Sequence, residues 1–246
     1  MNLDFSTTAL LAIDIQNDFC PAYTGLDGKE HSIGALAVSR GNEIIDPLNN
    51  LAEKVHKRGG KVLATQDWHP EGHISFASSH KNKKIGDIII VPVLEKAIVA
   101  FNKKFPDLTD PIPAAVQQAL WPVHCLQNSK GAAFHEYFNT QLIDFVFRKG
   151  FRKNIDSYSA FFENDRCTPT DLYGYLKEQG IDTLIFGGLA TDYCVFYTVI
   201  DSLRLGFKTF VAGDVCMGID IPAGSVQKTI TTMTEQGAVF VSAADV

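Results

Sequence analysis

The chain has 246 residues, of which 46% are hydrophobic and 20% charged, with a formal net charge of −6 at neutral pH. These values are typical of a soluble globular enzyme, here a single domain over residues 1–246, and not of a disordered or fibrous chain. The acidic balance argues against nucleic acid or an anionic membrane as a partner, and no apolar run reaches the roughly 18 residues of a membrane span.

Short apolar runs rich in β-branched residues alternate with longer helical patterns. The predicted strands are residues 7–13, 61–66, 144–149, 183–188 and 208–213. The predicted helices are roughly residues 43–58, 168–179, 192–205 and 223–235. Several of these helices end at a glycine, as helix stops commonly do. Because strand and helix alternate, the strands are expected to pair in parallel with helices on both faces. The sequence therefore predicts a three-layer α/β/α fold with a mainly parallel sheet.

The segment 77–120 departs from this alternation. It carries proline-containing patches near residues 90 and 110, and it leads into the motif WPVHC at 121–125. Its apolar content predicts that this inserted segment packs against the domain. A lid, a small hairpin and an oligomer contact are all compatible with it, so the chain could form a homo-oligomer.

Reactive side chains follow four of the predicted strands. Asp14 closes the first strand, Asp67 the second and Lys149 the third, and the loop after the fourth leads to Cys194. Parallel α/β sheets place their sites beyond the carboxyl ends of the strands. These four residues are therefore expected to meet at one edge of the sheet, which is the main evidence in the sequence for an active site.

Cys194 lies in GGLATDYCV, where a small-residue turn is followed by a capping residue, Thr191 or Asp192, and a helix. The first turn of a helix favours an anion, and this lowers the pKa of a cysteine there. Cys194 is thus predicted to be a nucleophile, with Asp14 able to take its proton and the Lys149 ammonium group nearby. The alternative is a buried cysteine with a packing role only, the commonest role of a free cysteine.

The segment QDWHPEGHISF places Asp67 and His69 on either side of Trp68. If the strand continues through them, side chains two apart project from one face, as two metal ligands would. His73 and the more distant His124 are further candidate ligands. Such donors suit Zn²⁺, Fe²⁺ or Mn²⁺, and the spacing does not choose among them. The alternative is a Pro-Gly turn whose polar residues cap the next segment.

The remaining cysteines and histidines lack comparable contexts. His80 and the segment HEYF at 135–138 are predicted to lie at the surface. Five cysteines without a Cys-x-x-Cys pair argue against disulfides or a cysteine zinc site, and favour a reducing, cytoplasmic setting. We assign four of them to the structure: Cys20, Cys125, Cys167 and Cys216.

Six ordered segments resemble the nicotinamidase branch of the isochorismatase-like cysteine hydrolases: AIDIQNDFC, TQDWHPEGHISF, WPVHC, FRKG, DSYSAFF and GGLATDYCV. The resemblance spans nearly the whole chain and implies the isochorismatase-like hydrolase fold. It also implies a catalytic triad of Asp14, Lys149 and Cys194. It further implies one divalent metal ion held by Asp67, His69 and His124, with zinc as the first choice and iron or manganese as alternatives.

The same resemblance implies details of the pocket. A cis peptide would join Leu189 to Ala190, and the N–H groups of Ala190 and Cys194 would donate to the oxyanion. His73 is an additional metal ligand in some relatives. Phe19 and Trp121 would pack on the two faces of the substrate ring, and Tyr158 and Tyr193 would lie near the pocket.

The activity implied is the hydrolysis of nicotinamide to nicotinate and ammonia through a cysteine thioester, in NAD salvage, with pyrazinamide as a side substrate. Two other hypotheses remain. One is a hydrolase of the same fold that acts on a carbamoyl or vinyl-ether substrate and lacks the metal motif. The other is a non-catalytic metal- or ligand-binding protein that keeps the fold.

Overall fold

The computed structural model describes residues 3–246, so Met1 and Asn2 of the predicted domain lie outside the described residues. The strands are β1 (Thr8–Ile13), β2 (Tyr23–Thr24), β3 (Glu30–His31), β4 (Lys61–Asp67), β5 (Ile88–Pro92), β6 (Ala115–Ala119), β7 (Phe145–Lys149), β8 (Thr183–Leu189), β9 (Lys208–Met217) and β10 (Val239–Val241). The helices are α1 (Ile45–Lys57), α2 (Glu95–Lys104), α3 (Leu172–Glu178), α4 (Phe196–Arg204) and α5 (Ser225–Glu235).

Six of these strands form the central sheet, in the order β10-β9-β8-β1-β4-β7. Every neighbouring pair in it is parallel. Strands β1 and β8 are buried along their whole length, which explains why their sequences are continuous apolar runs without polar alternation. The predicted parallel sheet is therefore confirmed.

Helices cover both faces of the sheet, and β1 shows how the sequence separates the two cores. Successive side chains of a strand point to opposite faces. Leu10 belongs to a core cluster that contains Leu48 of α1, whereas Leu11 belongs to a second cluster that contains Leu176 of α3. The three-layer arrangement follows from this alternation.

The four predicted helices all begin later than predicted: α1 at Ile45, α3 at Leu172, α4 at Phe196 and α5 at Ser225. Pro47 lies within α1 and does not break it, because it is in the first turn, where the backbone N–H has no intrahelical partner in any case. The helix predicted from residue 192 begins instead as a single π-helical turn, Thr191–Val195, before α4. Strand β10 was absent from the prediction because three residues give no clear period.

The inserted segment contains an antiparallel hairpin, β5 with β6, and the helix α2 between those two strands. Phe101 of α2 and the following Phe105 pack against Phe162, with ring centroids 5.7 and 5.5 Å apart. The segment thus packs against the domain, as its apolar content predicted. The antiparallel pairing of β5 with β6 agrees with the predicted small hairpin, and the lid and the oligomer contact stay predictions.

The prediction that residues 135–138 lie at the surface is wrong for His135 and Phe138. Both are buried. Tyr23 of β2 covers the His135 ring, with centroids 3.9 Å apart. His80 is half-buried and its Nε2 lies 2.7 Å from the carbonyl oxygen of Ile74. A local sequence pattern cannot show coverage of this kind by a distant element.

Gly188 permits a close approach between β8 and β1. It lies opposite Ile13 in the register and has a φ of 129°. A Cβ at this position would lie 2.2 Å from the Ile13 carbonyl oxygen, so only glycine fits without backbone movement. Asp14 follows Ile13, and the turn that carries Cys194 follows β8, so this contact helps to bring both residues to one edge.

We expect Gly188→Ala to lower the free energy of unfolding by at least about 2 kcal/mol, because the backbone must shift and the φ angle disfavours alanine. Urea unfolding followed by circular dichroism measures this change. Gly174→Ala in α3 is the matched control, since its added Cβ would meet no atom within 4 Å. Alanine favours a helix by up to ~1 kcal/mol, so the control should be at least as stable as wild type. Equal stability of Gly188→Ala and wild type would contradict the close approach.

Candidate active site

Asp14, Lys149 and Cys194 come together at the carboxyl-terminal edge of the sheet. Asp14 follows β1, Lys149 ends β7, and Cys194 lies in the π-helical turn after β8. The Nζ atom of Lys149 is 2.9 Å from Asp14 Oδ2 and 3.3 Å from Cys194 Sγ. All three side chains are buried. The structure thus brings the predicted carboxylate, ammonium and thiol into direct contact.

Further contacts fix the carboxylate and the ammonium. Asp14 has a positive φ of 49°, which ends β1. The hydroxyl of Thr65 donates to Asp14 Oδ1 at 2.6 Å and accepts from the Asp14 N–H at 3.1 Å. Lys149 Nζ also donates to the Ser157 carbonyl at 3.1 Å and to the Asp67 carboxylate. Each charged group therefore has defined partners in a buried site.

Burial controls the protonation of these groups. Burial raises the pKa of Asp14 above its ordinary value, although Lys149 acts in the opposite direction. Burial also raises the pKa of the Cys194 thiol well above its ordinary value, again against the effect of Lys149. Burial alone would lower the pKa of Lys149, but Asp14 and Asp67 raise it well above its ordinary value. The predicted lowering of the thiol pKa is wrong here, because burial outweighs the effect of Lys149.

Asp67, His69 and His124 form a second buried cluster next to Lys149. Oδ2 of Asp67 lies 3.5 Å from His69 Nε2 and 3.9 Å from His124 Nε2. The other ring nitrogens, both Nδ1, are each 2.8 Å from a backbone carbonyl, that of Gly150 for His69 and that of Pro122 for His124. Hydrogen bonds of this kind fix the tautomer of metal-binding histidines and leave Nε2 free for the ion.

The charges of this cluster fit a divalent cation. Burial alone would raise the pKa of Asp67, but Lys149 and His69 lower it, so the carboxylate is ionised at neutral pH. Burial and the neighbouring His69 lower the pKa of His124 to about 4, so this ring is neutral, as a ligand must be. Burial would lower the pKa of His69, but Asp67 raises it, and metal binding there would release a proton. Three nitrogen and oxygen donors are typical of an open zinc site.

His73 lies beside this cluster, and both of its ring nitrogens have protein partners. Its ring stacks on His69 with centroids 4.2 Å apart. Nδ1 is 2.7 Å from the Ser75 hydroxyl and Nε2 is 3.2 Å from the Ile155 carbonyl. The structure groups His73 with His69 and Asp156, and not with Asp67 and His124. Its additional ligand role stays a prediction.

A small cavity joins the two clusters. The four aromatic residues expected around the substrate all line it, together with residues of both clusters: Phe19, Leu36, Asp67, Trp121, His124, Asp156, Tyr158, Ala190, Tyr193, Cys194 and Ile219. Trp121 Nε1 donates to the Tyr158 hydroxyl at 3.0 Å, and the Trp121 and Tyr193 rings are nearly perpendicular, with centroids 5.1 Å apart. A wider cleft along β7 and α3 has none of the predicted site residues in its described lining.

The turn that carries Cys194 has the features expected from the resemblance. The Leu189–Ala190 peptide bond is cis. The Val195 N–H donates to the Ala190 carbonyl at 3.1 Å, which closes the π-helical turn around Cys194. Single π-helical turns of this kind are frequent at functional sites. Both Ala190 and Cys194 line the cavity, as an oxyanion site at these residues requires.

Several residues of this site are not distinguished by any pattern in the sequence. Asp156 and Ser157 were visible only as part of the segment DSYSAFF, and Thr65 only as part of a strand. Leu36 and Ile219 lie outside the predicted strands and helices, and no local pattern distinguishes them. Their roles depend on which distant segments the fold brings to the cavity.

Comparison with known proteins adds to this geometry. The isochorismatase domain family matches residues 8–245. A nicotinamidase of Escherichia coli K12 is 39% identical over 237 residues, which cover 96% of this chain and 95% of the relative. No helix among residues 3–246 is long and apolar enough to cross a membrane.

Solved structures agree with this assignment. A nicotinamidase and pyrazinamidase of Acinetobacter baumannii superposes with a TM-score of 0.79 at 40% identity, over 98% of both chains. A pyrazinamidase of Pyrococcus horikoshii in complex with zinc superposes with a TM-score of 0.67 at 27% identity, over 96% of this chain and 99% of the other. The resemblance seen in the six sequence segments is confirmed, and the chain belongs to the isochorismatase family.

Proposed function

We propose that this protein is a nicotinamidase, an amidohydrolase that converts nicotinamide to nicotinate and ammonia in NAD salvage. The contact of the Lys149 ammonium with both Asp14 and Cys194, at 2.9 and 3.3 Å, is the observation that carries the proposal. Relatives named nicotinamidase support the substrate, and relatives named pyrazinamidase support pyrazinamide as a side substrate. The free thiols of all five cysteines suit a cytoplasmic location.

Asp14 starts the reaction by accepting the thiol proton of Cys194. The sulfur attacks the carboxamide carbon of nicotinamide, while the N–H groups of Ala190 and Cys194 donate to the developing oxyanion. Asp14 then protonates the departing nitrogen, which leaves as ammonia, and a thioester to Cys194 remains. Water cleaves this thioester, with Asp14 as base, to release nicotinate and restore the thiol.

Burial makes Asp14 a stronger base and strengthens the interaction of Lys149 with the sulfur of Cys194. The raised pKa of Asp14 makes it a stronger base than an exposed aspartate, and so better able to take the thiol proton. Lys149 offsets the cost of forming a thiolate in a buried site, because its ammonium lies 3.3 Å from the sulfur. Lys149 therefore acts on the transition state and does not need to transfer a proton itself.

Asp67, His69 and His124 are proposed to hold one divalent metal ion, with zinc as the first choice and iron or manganese as alternatives. Their two free Nε2 atoms and one carboxylate face one another, which supports this role. A cation there would act as a Lewis acid towards the pyridine nitrogen of the substrate. Phe19 and Trp121 would pack against the faces of the ring and exclude water from it.

The metal cluster distinguishes this proposal from a hydrolase of the same fold that lacks a metal motif. The contact of Cys194 with Lys149 distinguishes it from a protein that only binds a ligand. A cysteine with a packing role alone would not need a buried ammonium and a carboxylate beside it, since burying charges is costly.

Cys194→Ala is expected to reduce ammonia release from nicotinamide by at least about 1,000-fold, because no thioester can form without the sulfur. Elemental analysis of the same sample should still find the metal content of wild type. Cys167→Ala is the matched control, since Cys167 is buried away from the cavity and its loss should leave the rate of turnover nearly unchanged. Turnover by Cys194→Ala at a rate similar to wild type would rule out the thiol mechanism.

Purified wild-type protein is expected to contain about one divalent metal ion per chain, and His124→Ala to lose most of it. Nicotinamide turnover should fall at least about 100-fold, since even the loss of a residue that only supports a ligand costs 10–100-fold. His56→Ala, on the exposed face of α1, is the control and should retain both metal and activity. Full activity of a metal-free, chelator-treated sample would show that Asp67, His69 and His124 do not serve as a metal site.

A further inference from the structure

Gln118 is the residue through which the inserted hairpin reaches the active-site wall. In β6, described in full, Gln118 alone is buried, and its neighbour Gln117 is exposed. Gln118 Nε2 lies 2.9 Å from Asp156 Oδ2, 3.2 Å from the Tyr158 hydroxyl and 2.8 Å from the Ala119 carbonyl. Both Asp156 and Tyr158 line the active-site cavity, whereas Gln118 does not.

The other end of the same amide completes a closed set of hydrogen bonds. Gln118 Oε1 accepts from Asn164 Nδ2 at 2.9 Å. Asn164 Oδ1 in turn accepts from the backbone N–H of Tyr158 at 2.8 Å. Tyr158 is therefore fixed at its hydroxyl by Gln118 and at its backbone by Asn164. A buried network in which each side chain has hydrogen-bond partners gives a wall one defined position.

Each partner of Gln118 leads to a proposed functional group. The Tyr158 hydroxyl accepts from Trp121 Nε1 at 3.0 Å, so Gln118 and Trp121 share one oxygen. Asp156 Oδ1 accepts from the Ser157 N–H at 2.8 Å, and the Ser157 carbonyl accepts from Lys149 Nζ. The side-chain amide of Gln118, which lies outside the cavity, thus supports the aromatic wall directly. It supports Lys149 indirectly, through Asp156 and Ser157.

We propose that Gln118 is a positioning residue that sets the affinity for nicotinamide by holding Tyr158, Asp156 and Trp121 in place. The inference rests on the proposed function for its substrate. Its main effect is expected on binding and not on chemistry, because the contacts of Lys149 with Asp14 and Asp67 do not involve Gln118. Loss of Gln118 also leaves the buried Asp156 carboxylate without one of its donors, which favours a rearranged wall.

Gln118→Met keeps the length of the side chain and removes all of its hydrogen bonds. The KM for nicotinamide is expected to rise about tenfold or more, equivalent to one or two lost hydrogen bonds, with kcat changed less than about threefold. Gln117→Met is the matched control, because it makes the same change at the adjacent, exposed position of the same strand. Its KM and kcat should equal those of wild type.

Gln118→Glu is the second variant and serves if Gln118→Met does not fold. It retains an oxygen that can accept from Asn164 but loses the donors to Asp156 and Tyr158, and it adds a charge next to Asp156. The KM is again expected to rise with little change in kcat. A KM within twofold of wild type in a folded Gln118 variant would overturn the inference, provided that wild type hydrolyses nicotinamide.

Fluorescence tests the same inference without any substrate. In a Trp68→Phe background Trp121 is the remaining tryptophan of the chain, and its Nε1 binds the Tyr158 hydroxyl. Both Gln118 variants should shift the emission of Trp121, and Gln117→Met should not. If wild-type protein does not release ammonia from nicotinamide, only the proposed function is contradicted. The fluorescence emission of Trp121 then decides whether Gln118 positions the wall. Unchanged emission in both variants would overturn that role.

Discussion

The buried ammonium of Lys149 is the constraint on which this site depends. A charge removed from water costs several kcal/mol unless opposite charges and hydrogen bonds compensate for it. Lys149 is 1% exposed, and its partners are two carboxylates and one carbonyl: Asp14, Asp67 and Ser157. The sheet supplies the two carboxylates, since β1, β4 and β7 end side by side and Asp67 is the register partner of Lys149. The fold therefore fixes the charges before any substrate arrives.

The proposed catalytic and metal sites are coupled through that one lysine. Lys149 Nζ contacts Asp14, the proposed base, and Asp67, a proposed metal ligand. It thereby raises the acidity of both carboxyl groups against the effect of burial. Asp67 consequently has two roles, one towards the lysine and one towards the two histidines. A change at Asp67 would therefore disturb the surroundings of Cys194, the proposed nucleophile, as well as the proposed metal site.

Sequence patterns were sufficient to locate a site residue that ends a strand or directly follows it. Asp14, Asp67 and Lys149 were located correctly because the ends of parallel strands share an edge, and the long apolar runs revealed those strands. The pKa of Cys194 was predicted in the wrong direction, because the helix start is local whereas burial depends on the whole fold. His135 was misassigned for the same reason, since a distant hairpin covers it.

Gln118 shows that a local sequence pattern cannot predict which of two adjacent polar residues is buried. It also shows how the wall of a pocket can change while the catalytic residues stay in place. The strand AVQQA contains two adjacent glutamines, and only the fold decides which one is buried. Asp14 and Lys149 lie at the ends of strands β1 and β7, and Cys194 lies in the turn after β8, so a shift of any of them would disturb the packing of the sheet. The pocket wall instead comes from the segment after β6 and from the turn around Asp156. The inserted segment ends at residue 120, directly before Trp121 of the pocket wall, and can therefore adjust the wall while the sheet keeps Cys194, the proposed nucleophile, in place.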